Sequence, residues 1–211
     1  MAVRAGGATK STPRPKAAKR QTAPGEQTPG HQQNEEAFSP QSVDRDTFRA
    51  LMGSVASGVS VVTTLDGQGE PWGFTCSALC SVSADPPLLL AGVSNRSGTL
   101  TAVLEGGRFA VNVLDSQSRD VSDLFASDTR KKFTRVSWEP GEVTGMPLLR
   151  LTVAHVECVL DKVVDVGDHS LMIGRIVGGG RESGRLPLTY WRGAYGRLLH
   201  PAAWKNGKSG G

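Results

Sequence analysis

The sequence predicts a mainly β protein, an antiparallel barrel with short helices on its outside. Two observations favour this fold class: at least six segments read as strands, and they do not alternate regularly with helices. A hairpin turn signal, Asp66-Gly67, also reverses the chain directly between two of the strands. The pattern therefore favours an antiparallel barrel over a doubly wound parallel sheet.

A helix is expected at the start of the folded region. Ser42 or Asp44 can cap its N-terminus, and the apolar residues that follow recur at the spacing of one helix face. Gly58 is expected to end this helix. The apolar residues of that face are Phe48, Leu51, Met52 and Val55.

The rest of the domain reads as strands with two more short helices between them. Pro86-Pro87 excludes a helix at the start of one extended segment, and a tight corner at 166–169 joins two later strands. Helices are predicted over 97–105 and from a cap at Asp115 to Phe125. Strands are predicted over 59–65, 71–77, 81–93, 108–114, 151–165 and 170–177, with a final extended segment over 188–199.

The charge of the chain is unevenly distributed. The 211 residues suffice for one domain with a sizeable core, and the formal net charge is +4. Residues 1–42 hold six basic and three acidic residues and are rich in Pro, Gly and Gln, which predicts a disordered basic tail. The predicted folded domain, 43–200, is nearly neutral, and 201–211 is expected to be a flexible tail. Nucleic-acid binding would have to rest on the basic tail alone and is not expected.

The cysteines and the hydropathy pattern indicate a cytoplasmic protein. Cys76, Cys80 and Cys158 make an odd number with no C-x-x-C spacing, which argues against a disulfide framework and a zinc ribbon. Reduced thiols in a cytoplasmic protein are expected instead. No apolar run reaches the roughly 18 residues that a membrane span requires, and no secretory signal or membrane partner is expected.

Several common catalytic signatures are missing from the sequence. No G-x-G-x-x-G follows a predicted strand, and there is no P-loop, no G-x-S-x-G and no H-E-x-x-H. Of the four histidines, only His155 and His169 are expected in a folded site, which is too few for a metal centre, so no metal is expected. An enzyme with so few acid, base or nucleophile candidates is expected to take its reactivity from a cofactor.

A series of short motifs runs along residues 45–199. In order they are WGFTCSA (72–78), SVS (81–83), DPPL (85–88), SNRS (94–97), FAVNVL (109–114), KF (132–133), GMPL (145–148), EC (157–158), GDHS (167–170) and PLTY (187–190). Taken together, the series resembles the flavin reductase-like family, the small reductase component of two-component flavin-dependent monooxygenases. The long tail before Ser42 departs from the compact core of that family.

The resemblance implies both a fold and an activity. The fold is a split β-barrel of the FMN-binding, Greek-key type, usually a homodimer with flavin bound near the subunit interface. The activity is that of an NAD(P)H:flavin oxidoreductase of EC 1.5.1 type. FAD or FMN would take hydride from NADH, with NADPH the less expected donor, and the reduced flavin would pass to a separate monooxygenase.

The resemblance also suggests what the small polar residues of 73–83 face. Small side chains would let the backbone approach the polar edge of an isoalloxazine ring, while Thr75 and Ser77 supply hydroxyls. The residues alone leave a second interpretation open, in which this is a barrel strand whose hydroxyls bond neighbouring backbone. The expected flavin contacts in this segment are Trp72, Gly73, Phe74, Thr75, Cys76, Ser77 and Ala78.

A second candidate segment, SNRSGT (94–99), directly precedes a predicted helix. Its hydroxyls, Arg96 and the free backbone N–H groups of the first turn can hold a phosphate, although S-x-x-S before a helix is usually only a cap. The resemblance places the flavin phosphate in this segment. The expected contacts are Ser94, Asn95, Arg96, Ser97 and Thr99.

Three further residues complete the predicted site. The resemblance places His169 beside the nicotinamide, where its role would be positioning, because direct hydride transfer requires no general base. Phe133 either stacks on a cofactor ring or anchors a plain loop. Tyr190, with Trp191 and Tyr195, either closes the flavin pocket or packs across a dimer.

The same residues leave two other functions open. A non-catalytic flavin- or haem-binding split barrel, acting as a sensor or carrier, would retain flavin tightly without oxidising NADH. A tethering role for the basic tail would add to reductase activity and would not replace it.

Overall fold

The structure is a computed structural model that describes residues 40–198. The predictions for 1–39 and 199–211 lie outside the described residues. The helices are α1 (Arg45–Met52), α2 (Gly98–Gly106) and α3 (Arg119–Ala126), with a 3-10 turn at Lys132–Arg135. The strands are β1 (Ser57–Gly58), β2 (Ser60–Leu65), β3 (Pro71–Cys76), β4 (Leu79–Ala84), β5 (Pro87–Ser94), β6 (Arg108–Leu114), β7 (Trp138–Pro140), β8 (Pro147–Leu149), β9 (Thr152–Val166), β10 (His169–Arg181), β11 (Leu188–Trp191) and β12 (Ala194–Arg197).

Seven of the strands form one curled antiparallel sheet. Its order is β3-β2-β6-β9-β10-β5-β4, so the two edge strands are consecutive in the chain and only Ser77-Ala78 joins them. This short link forces the sheet to curl until its edges approach, and the Gly92 amide in β5 donates to the Ala78 carbonyl at 2.9 Å. The predicted mainly β split barrel with short helices is confirmed. Within residues 40–198, no helix is long and apolar enough to cross a bilayer.

Two apolar cores lie against opposite faces of β2. Val62 belongs to the core that includes Phe109, Val111 and Met172, and Val61 belongs to the core that includes Phe125. The first five residues of β2 are all buried, so this strand has no solvent-facing side. The β-branched run that predicted a strand at 59–65 therefore reflects burial on both faces.

The structure corrects two strand predictions. The segment predicted as extended over 81–93 is a hairpin, because the chain reverses at Asp85-Pro86 between β4 and β5. The segment predicted over 188–199 is likewise a hairpin, which turns at Arg192-Gly193 between β11 and β12. In both cases the apolar pattern identified extended backbone, but it carried no information on where a two-residue turn reverses it.

Two helix predictions were also wrong in part. Asp44 caps α1 as predicted, since its carboxylate accepts from the Thr47 amide at 2.7 Å. The helix ends at Met52, however, so Val55 lies beyond it and Gly58 lies in β1. The helix that Asp115 was predicted to cap begins only at Arg119. The Asp115 carboxylate instead accepts from the Gln117 amide and the Ser118 hydroxyl and pairs with Arg185 at 2.9 Å.

Two buried polar side chains hold the 141–149 loop against the barrel. The Asn112 amide nitrogen donates to the Pro147 carbonyl at 3.4 Å, and its oxygen accepts from the Leu149 amide at 2.8 Å. The Glu157 carboxylate accepts from the hydroxyl and the amide of Thr144, both at 2.6 Å. These contacts join the FAVNVL, GMPL and EC motifs into one structural unit in the described chain.

The variant Glu157→Gln is expected to have a free energy of unfolding that depends less on pH in the acid range. Burial alone would raise the pKa of Glu157, but hydrogen bonds from the Thr144 hydroxyl and amide and from the Val143 amide lower it below its ordinary value of 4.5. The carboxylate therefore stabilises the fold at neutral pH, and this contribution is lost as the pH falls from about 4.5 through the lower folded pKa. Urea unfolding should show the variant less stable by about 2 kcal/mol at pH 7. The gap should narrow below pH 4.5, and a gap that stays constant would contradict this role.

Candidate functional site

A cavity of about 600 Å³ opens at the barrel surface. Its lining comes from β3, the N-terminus of α2, the C-terminus of α3 and the 3-10 turn, and β3 contacts α3 where Gly73 meets Phe125. Eight of the predicted site residues line it: Trp72, Gly73, Phe74, Ser94, Arg96, Ser97, Thr99 and Phe133. The two segments chosen from the sequence, 72–74 and 94–99, therefore meet in space at one cavity.

The indole of Trp72 is fixed in one wall of the cavity by Asp66. Its Nε1 donates to one carboxylate oxygen of Asp66 at 2.9 Å, while the other oxygen accepts from the Gln68 and Glu70 amides, both at 2.9 Å. These hydrogen bonds lower the pKa of Asp66, the indole bond most of all. The ring packs so closely on Gly98 that a Cβ there would lie 2.5 Å from Trp72 Cζ3. The β2–β3 turn thus holds a flat aromatic surface at the start of α2.

The N-terminus of α2 forms the polar part of the same wall. Ser97 precedes the helix but its hydroxyl makes no capping hydrogen bond, so that hydroxyl is available to a ligand. The Arg96 side chain is exposed at the cavity, and the backbone N–H groups of Gly98 and Thr99 lie in the first helical turn, where they have no partner within the helix. Free N–H groups, a hydroxyl and a guanidinium at a helix N-terminus are a chemistry that favours anions.

The part of the lining from α3 and the 3-10 turn combines aromatic and basic side chains. Phe125 and Phe133 pack edge to face with their ring centroids 5.1 Å apart. Lys132 Nζ donates to the Phe125 carbonyl at 2.9 Å and to the Gly73 carbonyl at 3.3 Å, which ties α3 to β3. Burial lowers the pKa of Lys132, and the nearby Asp128 partly opposes that shift.

The small polar residues after Phe74 have separate environments. The Thr75 hydroxyl donates to the Ser122 carbonyl in α3 at 2.6 Å. Cys76 is in the barrel core, where burial raises the pKa of its thiol to about 11. Ser77 and Ala78 are exposed at the link between β3 and β4. None of these four lines the cavity, so their flavin contacts stay predictions, and Thr75 shows the backbone bonding that the second interpretation of this segment described.

Asn95, in the turn after β5, and His169, the first residue of β10, lie next to the cavity and do not line it. The Asn95 side chain donates to the Gly167 carbonyl at 3.3 Å and accepts from the Ser170 hydroxyl at 2.7 Å, so it fixes the β9–β10 turn. His169 pairs with Ser94 across β5 and β10, and Ser94 lines the cavity. His169 Nδ1 lies 2.7 Å from the Asp168 carboxylate, whose pKa this hydrogen bond and the charge of the imidazole lower. With Nδ1 engaged, Nε2 is the atom that a ligand could reach.

Tyr190 is placed apart from the cavity. It lies in β11 of a three-stranded sheet, opposite Tyr195, with their ring centroids 5.3 Å apart. The Tyr195 hydroxyl is 2.7 Å from the Asp123 carboxylate and 3.0 Å from the Ser122 hydroxyl. Tyr190 does not line the cavity, and its assignment to the flavin pocket stays a prediction.

Sequence reasoning missed several residues of the cavity. Asp66 was assigned only to a turn signal and Phe125 only to the end of a helix, while Lys132 was named in the KF motif but not among the expected contacts. The KF pair at 132–133 was a usable signal, because a lysine directly before an aromatic residue in a loop joins charge and ring surface at one point. The further lining residues not predicted are Glu70, Pro71, Gly98, Ala126, Ser127, Asp128, Thr129 and Arg130.

The geometry agrees with a comparison against known families. The chain matches the flavin reductase-like domain over residues 52–199. It belongs to the flavin reductase-like family. The family resemblance read from the ten short motifs is therefore confirmed.

Named relatives of this flavin reductase include enzymes of both nicotinamide preferences. It is 48% identical over 162 residues to a flavin reductase (NADH) of Kitasatospora aureofaciens, covering 76% of this chain and 85% of the relative. It is 43% identical over 143 residues to a flavin reductase (NADPH) of Lentzea aerocolonigenes, covering 67% and 83%. A flavin-dependent monooxygenase reductase subunit of Rhodococcus jostii is 32% identical over 174 residues, covering 81% and 88%.

A solved relative has the same fold. The NADH:FAD oxidoreductase of Streptomyces globisporus, in complex with NAD and FAD fragments, superposes with a TM-score of 0.72 at 31% identity, covering 77% of this chain and 99% of that chain. Together these relatives establish that this flavin reductase is an oxidoreductase that reduces flavin with NAD(P)H and supplies a partner monooxygenase.

Proposed function

We propose that the cavity between β3, α2 and α3 binds the flavin, FAD or FMN, and that NADH is the preferred reductant. The observation that carries this proposal is the arrangement of the cavity walls. Aromatic surfaces of Trp72 and Phe133 border the same space as the N-terminus of α2 with Arg96. A flavin nucleotide needs this combination, an apolar surface for its ring system and an anion site for its phosphate. The residues present therefore fit the group, and this supports the proposal that the enzyme is of the EC 1.5.1 type.

The chain's own residues would orient the reactants. Bound flavin supplies the chemistry, since its ring accepts hydride directly from nicotinamide. Asp66 holds the Trp72 indole in place by the 2.9 Å hydrogen bond, so the aromatic wall is fixed before a ligand arrives. Asp168 holds the His169 ring through Nδ1, which leaves Nε2 to form a hydrogen bond with the carboxamide of nicotinamide.

Turnover with separate flavins and nicotinamides tests the proposed function. Purified protein should oxidise NADH steadily when free FAD or FMN is supplied, with higher kcat/KM for NADH than for NADPH. Absorbance at the nicotinamide band follows the reaction. Higher kcat/KM with NADPH would reverse the cofactor preference. Tight flavin retention without NADH oxidation would instead favour the sensor or carrier alternative.

We also propose that a second copy of the chain covers α1. This helix buries none of its residues, and Phe48, Leu51 and Met52 are 55%, 59% and 52% exposed. The Trp191 indole, itself 49% exposed, donates to the Ser54 carbonyl at 3.1 Å and so extends the apolar surface. An apolar surface of this kind marks an interface, and a two-fold pair is the commonest assembly. Sedimentation should give the mass of a dimer, and Leu51→Glu should shift it toward that of a monomer.

A cytoplasmic location completes the proposal. Cys76, Cys80 and Cys158 are all free thiols, and Cys80 is exposed. Free thiols persist in a reducing compartment, which supports the location expected from the sequence.

A further inference from the structure

The side chains of Asp168 and His169 form a contact that packing does not orient. The Asp168 carboxylate lies 2.7 Å from His169 Nδ1, yet the two side chains are 94% and 53% exposed. Exposed pairs of this kind are usually loose, because both side chains retain their rotational freedom. An imidazole that orients nicotinamide therefore needs a firmly held backbone beneath the pair.

Asn95 holds both peptide units that flank the Cα atom of Asp168. Its backbone N–H donates to the Asp168 carbonyl at 3.1 Å, and its side-chain Nδ2 donates to the Gly167 carbonyl at 3.3 Å. Peptide units are planar, so fixing the two units on either side of a Cα atom fixes φ and ψ of that residue and the direction of its Cα–Cβ bond. A single residue outside the β9–β10 hairpin thus sets the direction in which the Asp168 side chain leaves the backbone.

The oxygen of the Asn95 side chain is anchored in the protein interior. This Oδ1 accepts from the Ser170 hydroxyl at 2.7 Å, and Ser170 is only 1% exposed. Ser170 Oγ also lies 2.7 Å from the Asp165 carboxylate, and Asp165 pairs with Ser170 across the two strands of the hairpin. The amide group of Asn95 therefore connects a buried hydroxyl to an exposed turn.

We propose that Asn95 is a positioning residue for hydride transfer, which holds the backbone of Asp168 and, through the Asp168 carboxylate, the imidazole of His169. The proposal rests on the proposed function of His169 as the group that orients nicotinamide, and it adds a residue on which that orientation depends. Asn95 then acts on the reaction through His169, a different role from the flavin contact expected from the sequence. A misplacement of about 1 Å can cost about a hundredfold in rate.

The hold of Asn95 on the imidazole is tested in the flavin-free protein. A carboxylate only accepts hydrogen bonds, so the wild-type His169 ring should carry a proton on Nδ1. At about pH 8.5 an ordinary histidine ring is neutral, and nitrogen-15 NMR of labelled rings shows which nitrogen is protonated. His169→Ala identifies the signals.

Asn95→Ala should lower the ratio of Nδ1-protonated to Nε2-protonated His169 rings about fivefold, the loss expected when one hydrogen bond of about 1 kcal/mol is released. The same ratio in Asn95→Ala and in the wild type would overturn the proposal. A wild-type ring protonated mainly on Nε2 would overturn it as well, because Asp168 would then not hold the imidazole.

The effect on the reaction is tested by a double-mutant cycle on single-turnover reduction of bound flavin by NADH. Asn95→Ala should lower the reduction rate about fivefold to tenfold and raise the flavin dissociation constant less than about twofold. In a protein that already carries His169→Ala it should lower the rate no further, because the group that it positions is gone. Val166→Ala at the same turn is the control, because Val166 is 52% exposed, and it should match the wild type.

Three kinetic results would overturn the proposal. The first is an unchanged rate in Asn95→Ala, and the second is a double variant in which the two losses multiply. The third is a loss of flavin affinity as large as the loss of rate, which would make Asn95 a flavin contact.

Two further comparisons keep the outcome clear. If Asn95→Ala does not fold, Asn95→Asp, which has nearly the same shape but no Nδ2 donor, is taken through both experiments with the same expected results. An unchanged rate in His169→Ala alone would contradict the proposed role of His169 and with it the kinetic effect of Asn95. The NMR comparison tests the hold of Asn95 on the ring independently of that role.

Discussion

Gly174→Val is expected to destabilise the protein by about 3 kcal/mol, the upper end of the usual range for overpacking a core. Gly174 lies in β10, between β5 and β9, and is itself buried. A Cβ at this position would clash with Phe109 Cζ and lie 2.8 Å from Phe109 Cε1 and 3.1 Å from Cys158 Cβ. Phe109 and Cys158 are both fully buried, so neither has free space into which it can move.

Thermal and urea unfolding measure this effect. The loss of about 3 kcal/mol corresponds to a fall in Tm of about 10 °C for a domain of this size. Gly58→Val is the matched control, because a Cβ on Gly58 meets no atom within 4 Å. The control should unfold close to the wild type. Equal midpoints for the two variants would show that the barrel interior can relax around Gly174.

His169→Ala is expected to lower kcat for flavin reduction by about tenfold to a hundredfold and to change the flavin dissociation constant less than threefold. The imidazole is held by Asp168 at 2.7 Å and pairs through its strand with Ser94, which lines the cavity. Losing it would remove an orienting contact to nicotinamide without disturbing the aromatic wall at Trp72. The expected defect is therefore in the reaction and not in flavin binding.

Single-turnover reduction of bound flavin by NADH separates these effects. His169→Gln keeps a polar group at the position and should recover part of the rate. Val166→Ala in the same turn is the control, because Val166 is 52% exposed. An unchanged reduction rate in His169→Ala would remove His169 from the site. If flavin binding falls as much as the reduction rate does, His169 contacts the flavin and not the nicotinamide.

Most of the strands were predicted from local patterns, because the order of apolar and polar residues in a strand reflects which of its faces are buried. The prediction for 108–114 matches β6 residue for residue, and the run at 59–65 lacks only its first residue in β2. The reversals at Asp85-Pro86 and Arg192-Gly193 were missed because they depend on which strands pair, and pairing is a property of the whole sheet. Extended backbone has the same local signature whether it runs straight or folds back.

The site was partly predictable for a related reason. The segments 72–74 and 94–99 were found because their motifs are contiguous, and the structure brings both to one cavity. Thr75 was predicted to contact flavin, yet its hydroxyl bonds Ser122 in a helix 47 residues later, a contact that no local pattern indicates. The hydrogen bonds of Lys132 were not predicted for the same reason, because they go to backbone carbonyls in two other elements, α3 and β3.

Strand β2 contributes to both apolar cores, and this affects the cooperativity of unfolding. Val61 and Val62 are neighbours in the chain, yet each anchors a different apolar cluster, so neither cluster can come apart while the other keeps its shape. The domain should consequently behave as one cooperative unit, in which tryptophan emission and far-ultraviolet dichroism report a single coincident transition.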